Sequence, residues 1–464
     1  MHKALKLEDL YLRIGGQQML SEVNMEVLPG EIVSICGTSG SHMDALVNLL
    51  TRTYDAPYTL TGHLFVDGAE TERLPDEEMR FTRMMGVAVL PAVSEKLALR
   101  MTVQKYILLP FKESVKKTPH EILTDAKRIM QLLGVANPER IFRQRMSSLH
   151  IKDLRAVLYA AALATDPAVA VAFAGGADLS PHEADELYTL LIKVCKIKNI
   201  ALLLLTGDIG FARRYGEQVY IAKNDRIIQL DGVTHPYLQY LEDAAAMRTL
   251  SFPEHGETPL LTALNAVPAR GMQSLAFTLH RGEILAFPCK NGIPVFSGRK
   301  SPVSGSLQAD GLDIRKHKLY KKGIMPVFAG MAMPPVDTCD DAVSAYAVRP
   351  SQRMNTDQLY SSLGLSVDYG RTPIRTDNVY ETLRLGIVCA CVAETRVILL
   401  SDIDLLSSAA DRYDILSLLS AVCARTGAGA LVFSGRTDVL HAAGAHFDMT
   451  EKREEEIKSE AMEV

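Results

Sequence analysis

Positive charge is not in excess: 50 Lys and Arg stand against 55 Asp and Glu, a formal charge of -5, so the electrostatic footprint of a general nucleic-acid binder is missing. The seven cysteines are an odd number without a Cys-x-x-Cys pair, and Cys389 with Cys391 offers too few ligands for a zinc site. Reduced thiols in a reducing cytosol are the expectation. No run reaches the roughly 18 uninterrupted apolar residues of a membrane-spanning helix, because the richest stretch, Ala156 to Ala174, is broken at Asp166-Pro167. The opening Met1-His2-Lys3-Ala4-Leu5-Lys6-Leu7-Glu8-Asp9 lacks a signal peptide's apolar core. Low-complexity blocks long enough to imply disorder are also missing. These absences predict a folded cytoplasmic protein with no nucleic-acid partner, whose membrane contact is peripheral and without direct insertion.

What is there is length and self-similarity. At 464 residues, 47% hydrophobic and 23% charged, the chain exceeds one ordinary domain of ~150 residues and predicts two or three. Pro29-Gly30-Glu31-Ile32-Val33-Ser34-Ile35-Cys36 recurs as Arg281-Gly282-Glu283-Ile284-Leu285-Ala286-Phe287-Pro288. Thr61-Gly62-His63-Leu64-Phe65-Val66-Asp67-Gly68 recurs as Ser304-Gly305-Ser306-Leu307-Gln308-Ala309-Asp310-Gly311. Leu133-Gly134-Val135 and Leu205-Thr206-Gly207 return as Leu363-Gly364-Leu365 and Phe433-Ser434-Gly435. The interval between partners only shrinks along the chain, so the second copy has lost loops and kept order.

Each copy opens with strand-like segments, passes through helical stretches and ends in a buried-strand run, Ile200 to Leu205 and Ala430 to Phe433, which predicts an α/β fold. The Pro, Gly and charge content of Ser251-Phe252-Pro253-Glu254-His255-Gly256-Glu257-Thr258-Pro259 marks a linker. The predicted division is a first cassette over 1–241, a linker over 242–268, a shortened second cassette over 269–450 and a charged tail over 451–464.

A strand ending in Gly30-Glu31-Ile32-Val33-Ser34-Ile35-Cys36-Gly37, followed by a short loop and a helix, resembles the nucleotide-binding subunit of ABC transporters. Two copies in one chain resemble the tandem ATPase subunit of bacterial monosaccharide importers of the ribose and galactose type. The resemblance implies two tandem P-loop NTPase-like domains, each with a helical subdomain, and Mg-ATP as the family's cofactor. It also implies an integral-membrane permease as partner, on the cytoplasmic face of the inner membrane.

The motifs depart from the family. A P-loop, Gly-x-x-x-x-Gly-Lys-Ser/Thr, wraps phosphates in backbone N–H groups, with the lysine on the β/γ-phosphates and the hydroxyl on Mg²⁺. The corresponding residues are Gly37, Thr38, Ser39, Gly40, Ser41, His42, Met43 and Asp44: Gly37 and Gly40 remain, but Met43 takes the lysine's place and Asp44 the hydroxyl's. A carboxylate ~4 Å from a phosphate charge at an effective dielectric of ~20 costs on the order of 4 kcal/mol. In the second copy, Cys289-Lys290-Asn291-Gly292-Ile293-Pro294-Val295-Phe296 keeps Gly292, puts Val295 at the lysine and loses an N–H at Pro294.

By the same resemblance, Ile14 stands at the adenine-stacking aromatic and Leu90 near the Mg²⁺-sensing glutamine. Leu149-His150-Ile151-Lys152-Asp153, or Met146-Ser147-Ser148-Leu149-His150 in a shifted register, stands at the signature before the alanine-rich helix Leu154 to Ala164. Phe173 replaces the Walker B aspartate, Ala174 the catalytic glutamate and Gly207 the switch histidine, which leaves the attacking water unheld. The second signature is Asp377-Asn378-Val379-Tyr380-Glu381. Asp402, in Val397-Ile398-Leu399-Leu400-Ser401-Asp402-Ile403-Asp404, aligns with the catalytic glutamate, or with the Walker B aspartate in a register shifted by one, although strand-end aspartates commonly cap the following loop or helix. His42 with Asp44, and His182 with Glu183, lack a third partner at a spacing that would complete a site, while Met84-Met85 and Met331-Ala332-Met333 fit core or interface filler.

The expectation is therefore a degenerate tandem subunit that binds no cofactor tightly and docks on a permease. The alternatives are a working ATPase using Mg-ATP and a regulatory scaffold unrelated to transport.

Overall fold

The computed structural model describes residues 2–38, 43–54, 56–75, 78–79, 82, 86–90, 100–109, 117–174, 179, 181–230, 238–239, 241, 258–268, 274–288, 292–318, 323–347, 356–374, 378–406 and 408–443. It divides into two compact units, one ending at Ala245 and the other beginning at Ala246.

In the first unit, β1 (Leu5–Ile14) and β2 (Gln17–Val27) form a hairpin, β3 (Ile32–Gly37) leads into the helix Met43–Thr51, and β4 (Tyr58–Val66) and β5 (Ala69–Glu70) follow. Beyond β6 (Val87–Leu90) comes a helical block containing Val103–Ile107, Pro119–Leu132, Pro138–Phe142 and Ile151–Leu163. The longest of its helices at the N-terminal end, Pro119–Leu132, starts on a reciprocal Thr118/Glu121 cap with Pro119 in its first turn. β7 (Val169–Ala174), β8 (Ala201–Thr206), β9 (Gln218–Lys223) and β10 (Arg226–Gln229) complete the unit, with helices Pro181–Lys198 and Ile209–Tyr215 between them. One antiparallel sheet has the order β2-β1-β4-β5, and a six-stranded sheet has the order β10-β9-β3-β8-β7-β6, parallel except at its β9–β10 edge. Leu202, Leu203 and Leu204 of β8 are fully buried, as an apolar run in the middle of a parallel sheet requires.

The second unit contains β11 (Pro259–Val267), β12 (Leu275–His280), β13 (Ile284–Phe287), β14 (Ser304–Ala309), β15 (Leu312–Asp313), β16 (Ile324–Val327), β17 (Val397–Leu400) and β18 (Gly429–Phe433). Its sheets have the orders β12-β11-β14-β15 and β13-β18-β17-β16. Among the described residues this is the first unit's arrangement without counterparts of β9 and β10. Helices Cys339–Tyr346, Thr356–Ser362 and Val379–Val392 precede β17, and Ala409–Thr426 joins it to β18. β11 corrects the expected boundary, because Pro259–Val267 is a central strand of the second unit's antiparallel sheet and not linker. The charged tail over 451–464 lies outside the described residues.

The recurring Thr-Gly and Ser-Gly motifs have a shared physical cause. β1 slips register at Asp9, which adopts φ +45°, and β4 meets this bulge with Gly62; a Cβ there would lie 2.3 Å from the Asp9 carbonyl oxygen. β11 does the same at Asn265, φ +46°, opposite Gly305, where a Cβ would lie 2.0 Å from the Asn265 carbonyl oxygen. Only glycine admits so close a backbone approach. Asp67-Gly68 and Asp310-Gly311 then turn β4 into β5 and β14 into β15, all four residues at positive φ as a two-residue hairpin turn demands.

Among the described residues the six cysteines, Cys36, Cys195, Cys339, Cys389, Cys391 and Cys423, are free thiols, and burial pushes Cys36, Cys195, Cys389 and Cys423 up to about 12. Among the described residues no helix is long and apolar enough to cross a membrane.

Candidate functional site

β3 carries Gly37, buried, to the start of the first unit's phosphate loop. Ser39, Gly40, Ser41 and His42 lie outside the described residues. On the far side of the loop Met43 opens the helix Met43–Thr51, and its half-buried side chain packs against the core that holds Leu46 and Leu50. The lysine's place therefore makes an apolar contact. Asp44, exposed in the first turn, sits where the helix N-terminus favours a carboxylate.

The second unit's loop ends in a four-residue helix, Ile293–Phe296, preceded by Gly292. Val295 is 6% exposed and Phe296 is fully buried. Phe296 lies with its ring centroid 5.7 Å from that of Phe287 and 5.4 Å from that of Phe433, and Phe277 packs 5.1 Å from Phe287. The Phe433 ring presses on Gly292 so closely that a Cβ on the glycine would stand 2.1 Å from it. The side chains at the lysine and hydroxyl positions thus belong to an aromatic core. A triphosphate with Mg²⁺ does not fit these residues, since it would lose hydration against apolar rings and a proline without an N–H.

The other motif positions lie on strands, turns and helix starts of the two units. Ile14 is half-buried on the core and pairs with Tyr58 across the β1–β4 ladder; Leu90 is 1% exposed. At the signature, Met146 is buried, Ser147 and Ser148 are exposed in a short 3-10 turn, and His150 caps the helix Ile151–Leu163 by accepting the Lys152 N–H at 3.4 Å. Phe173, the penultimate residue of β7, is 37% exposed beside buried Ala174, and its carbonyl oxygen accepts the Tyr188 hydroxyl at 3.1 Å. Gly207 follows β8 directly, and the next residue, Asp208, caps the helix Ile209–Tyr215 through the Phe211 N–H. In the second signature, Asp377 lies outside the described residues and Asn378 caps Val379–Val392.

Asp402 adopts a left-handed conformation, φ +64°, and its Oδ2 accepts the Ala329 N–H at 3.1 Å. It ties the end of β17 to the segment after β16. The sequence did not single out its neighbour Asp404, which is 6% exposed, accepts the Ser434 hydroxyl and receives the Gly435 N–H at 2.8 Å. The repeat of Thr206-Gly207 as Ser434-Gly435 was the available signal. Both carboxylates accept hydrogen bonds from groups distant in sequence. His182 is exposed, while Glu183 lies 4.0 Å from His150 Nδ1. Met84 and Met85 lie outside the described residues; Met331 is buried in the core with Met333 packed against it.

No family model matches the chain. It is similar, at 23% identity over 67% of this chain and 60% of the relative, to a ribose/galactose/methyl galactoside import ATP-binding protein of Agrobacterium fabrum. It is also 23% identical over 47% of its own length to a methionine import ATP-binding protein of Staphylococcus haemolyticus, 61% of which is covered. The chain spans between 57% and 61% of the length of these curated relatives and two further methionine import proteins. Among solved structures, CbiO1 of Clostridium perfringens, part of an ABC transporter complex, aligns at 19% identity and a TM-score of 0.44 over 53% of this chain and 96% of its own. A dimeric ATP-binding cassette bound to ADP and phosphate aligns at 23% identity and a TM-score of 0.41 over 48% of this chain and 96% of its own.

Proposed function

We propose that this chain, a relative of ABC import ATP-binding subunits built as two tandem cassettes, works without hydrolysing ATP and acts by docking on a permease or a related partner. One observation carries the reading: Phe296 and Val295, at the Mg²⁺ and phosphate positions of the second unit, are core residues packed with Phe287 and Phe433. Phe173, Ala174 and Met43 support it in the first unit, where uncharged side chains stand at the Walker B aspartate, the catalytic glutamate and the P-loop lysine. The shared strand order supports a duplicated origin in which the second copy kept its folding geometry and lost its chemistry.

The importer names of the relatives support a permease as partner, and the ribose/galactose/methyl galactoside import protein, matched over 67% of this chain, favours the monosaccharide class, with the chain on the cytoplasmic side of the membrane. Tight binding of Mg-ATP is not part of this reading. Two measurements on the full chain test it. Titration calorimetry should detect no micromolar ATP binding, and purification from native membranes should bring down an integral-membrane permease. Micromolar ATP affinity with phosphate release would overturn the first half, and a membrane fraction without the chain would overturn the second.

A further inference from the structure

His63, Glu70 and Glu72 meet on the outer side of the first unit's antiparallel sheet, and none of them is a phosphate-loop, signature or Walker B position. Leu64 and Val66 of β4 turn inward, so His63 and Phe65 turn outward, and Phe65 faces Glu70 across the β4–β5 ladder. The 3-10 turn Thr71–Arg73 then returns Glu72 to the same patch. His63 Nδ1 lies 2.6 Å from Glu70 Oε1 and 3.6 Å from Glu72 Oε1, and one ligand atom from each residue fits within 4.8 Å of the others.

Two further observations concern what this cluster lacks. Glu72 Oε2 accepts the Leu64 N–H at 3.1 Å, which fixes the carboxylate, while Glu72 Oε1 is buried with no hydrogen-bond partner. A buried carboxylate oxygen without a donor is costly. The second unit resolves the same geometry differently: following the Asp67-Gly68 and Asp310-Gly311 match, the positions of His63, Glu70 and Glu72 become Ser306, Asp313 and Arg315. There the guanidinium Nε of Arg315 donates to both oxygens of Asp313, at 3.0 and 3.1 Å. A covalently attached cation neutralises the carboxylate in one unit. In the other that position is a second carboxylate beside an imidazole, with Arg73 held only on the far oxygen of Glu70, at 3.1 Å.

We propose that His63 Nδ1, Glu70 Oε1 and Glu72 Oε1 bind a divalent transition-metal ion, Zn²⁺ by preference, with water completing a four-coordinate site. One imidazole nitrogen and two carboxylate oxygens suit Zn²⁺ better than Mg²⁺ or Ca²⁺, which take oxygen ligands. The ion neutralises Glu70 and Glu72 together, where Arg315 at the position of Glu72 neutralises Asp313 at the position of Glu70, and it ties β4, β5 and the following turn together. None of this depends on the nucleotide positions.

The test is calorimetric titration of ZnCl₂, and of CoCl₂ followed by visible absorption, into the full chain stripped of metal and of any purification tag. One saturable site of micromolar affinity or tighter is expected. His63→Gln and Glu72→Gln should each weaken it by about tenfold or more, in line with the loss of a metal contact. His63 is exposed, so its variant keeps the fold even where Glu72→Gln does not. Absence of saturable binding below about 1 mM, or affinity unchanged in His63→Gln, would overturn the proposal and leave an ordinary His–Glu ion pair.

Discussion

The Phe433 ring rests directly on the α-carbon of Gly292, leaving no room for even a methyl group between the end of β18 and the loop after β13. In a P-loop the corresponding space belongs to phosphate. Here it is core.

Gly292→Ala should therefore overpack the second unit and cost on the order of 2 kcal/mol, visible as an earlier denaturant midpoint for that unit. Adding Phe433→Leu should return part of the loss, because the two residues share one volume. An unchanged midpoint in Gly292→Ala would contradict the contact.

Restoring the first loop piecemeal should not restore catalysis. Met43→Lys returns a positive charge, but Asp44 beside it competes for the new ammonium, so the double change with Asp44→Ser should gain more nucleotide affinity than the single changes summed. Phosphate release should stay at background in all of them, since Phe173, Ala174 and Gly207 remain. Release rising clearly in Met43→Lys alone would show a live cassette.

Asp402 separates a structural from a chemical role. Asn tolerates the left-handed backbone and keeps an acceptor for the Ala329 N–H, so Asp402→Asn should be nearly neutral in stability, whereas Asp402→Ala should cost about 1–2 kcal/mol. Thermal unfolding of the two variants checks this order. Equal losses in both would point to the charge itself.

Acid should weaken the pair between Arg412 and Asp438. Arg412 is 2% exposed and its Nε donates to Asp438 Oδ2 at 2.9 Å. Burial alone would raise the Asp438 carboxyl, but Arg412 and Arg436 outweigh it and hold the group below its ordinary 3.8. A depressed acid contributes its stability above the unfolded value and loses it as pH falls through the folded one. Asp438→Asn should accordingly cost about 3 kcal/mol near pH 7, with the deficit shrinking below pH ~4. A deficit independent of pH, followed by urea melts across that window, would refute the pairing.

Limited proteolysis should cut first between Glu242 and Thr258, giving two fragments of similar size, because β11 begins at Pro259 and is protected by its pairing with β12 and β14. Initial cleavage inside either unit would count against this boundary.

Much of this architecture was legible because the backbone needs that shape it also appear as fixed residues. The Gly-Glu-Ile turns, the Thr-Gly and Ser-Gly bulges and the Asp-Gly hairpins require glycine or a short polar residue at positive φ, and such positions survive even where chemistry does not. β11 was missed since Pro259 reads as a breaker, although a proline at the first residue of a strand withdraws no needed donor. The fate of the second phosphate loop was half legible. Val295 and Pro294 announced the loss of donors, but the stacking of Phe296 on Phe287 and Phe433 joins residues far apart in sequence, and no local pattern carries that. Asp404 escaped for the same reason, its partners Ser434 and Gly435 lying a strand and a helix away.

Among the described residues the second unit's parallel sheet stops at β13, where the first unit continues into β9 and β10. An unpaired sheet margin is an invitation to self-association, since its row of donors and acceptors can template a stranger's strand. Here the margin is only four residues long, all of them buried, and the helix Thr437–Ala442 packs against it. Among the described residues that border is screened by its own burial and by a helix, so it offers a stranger's strand little open ladder to pair with.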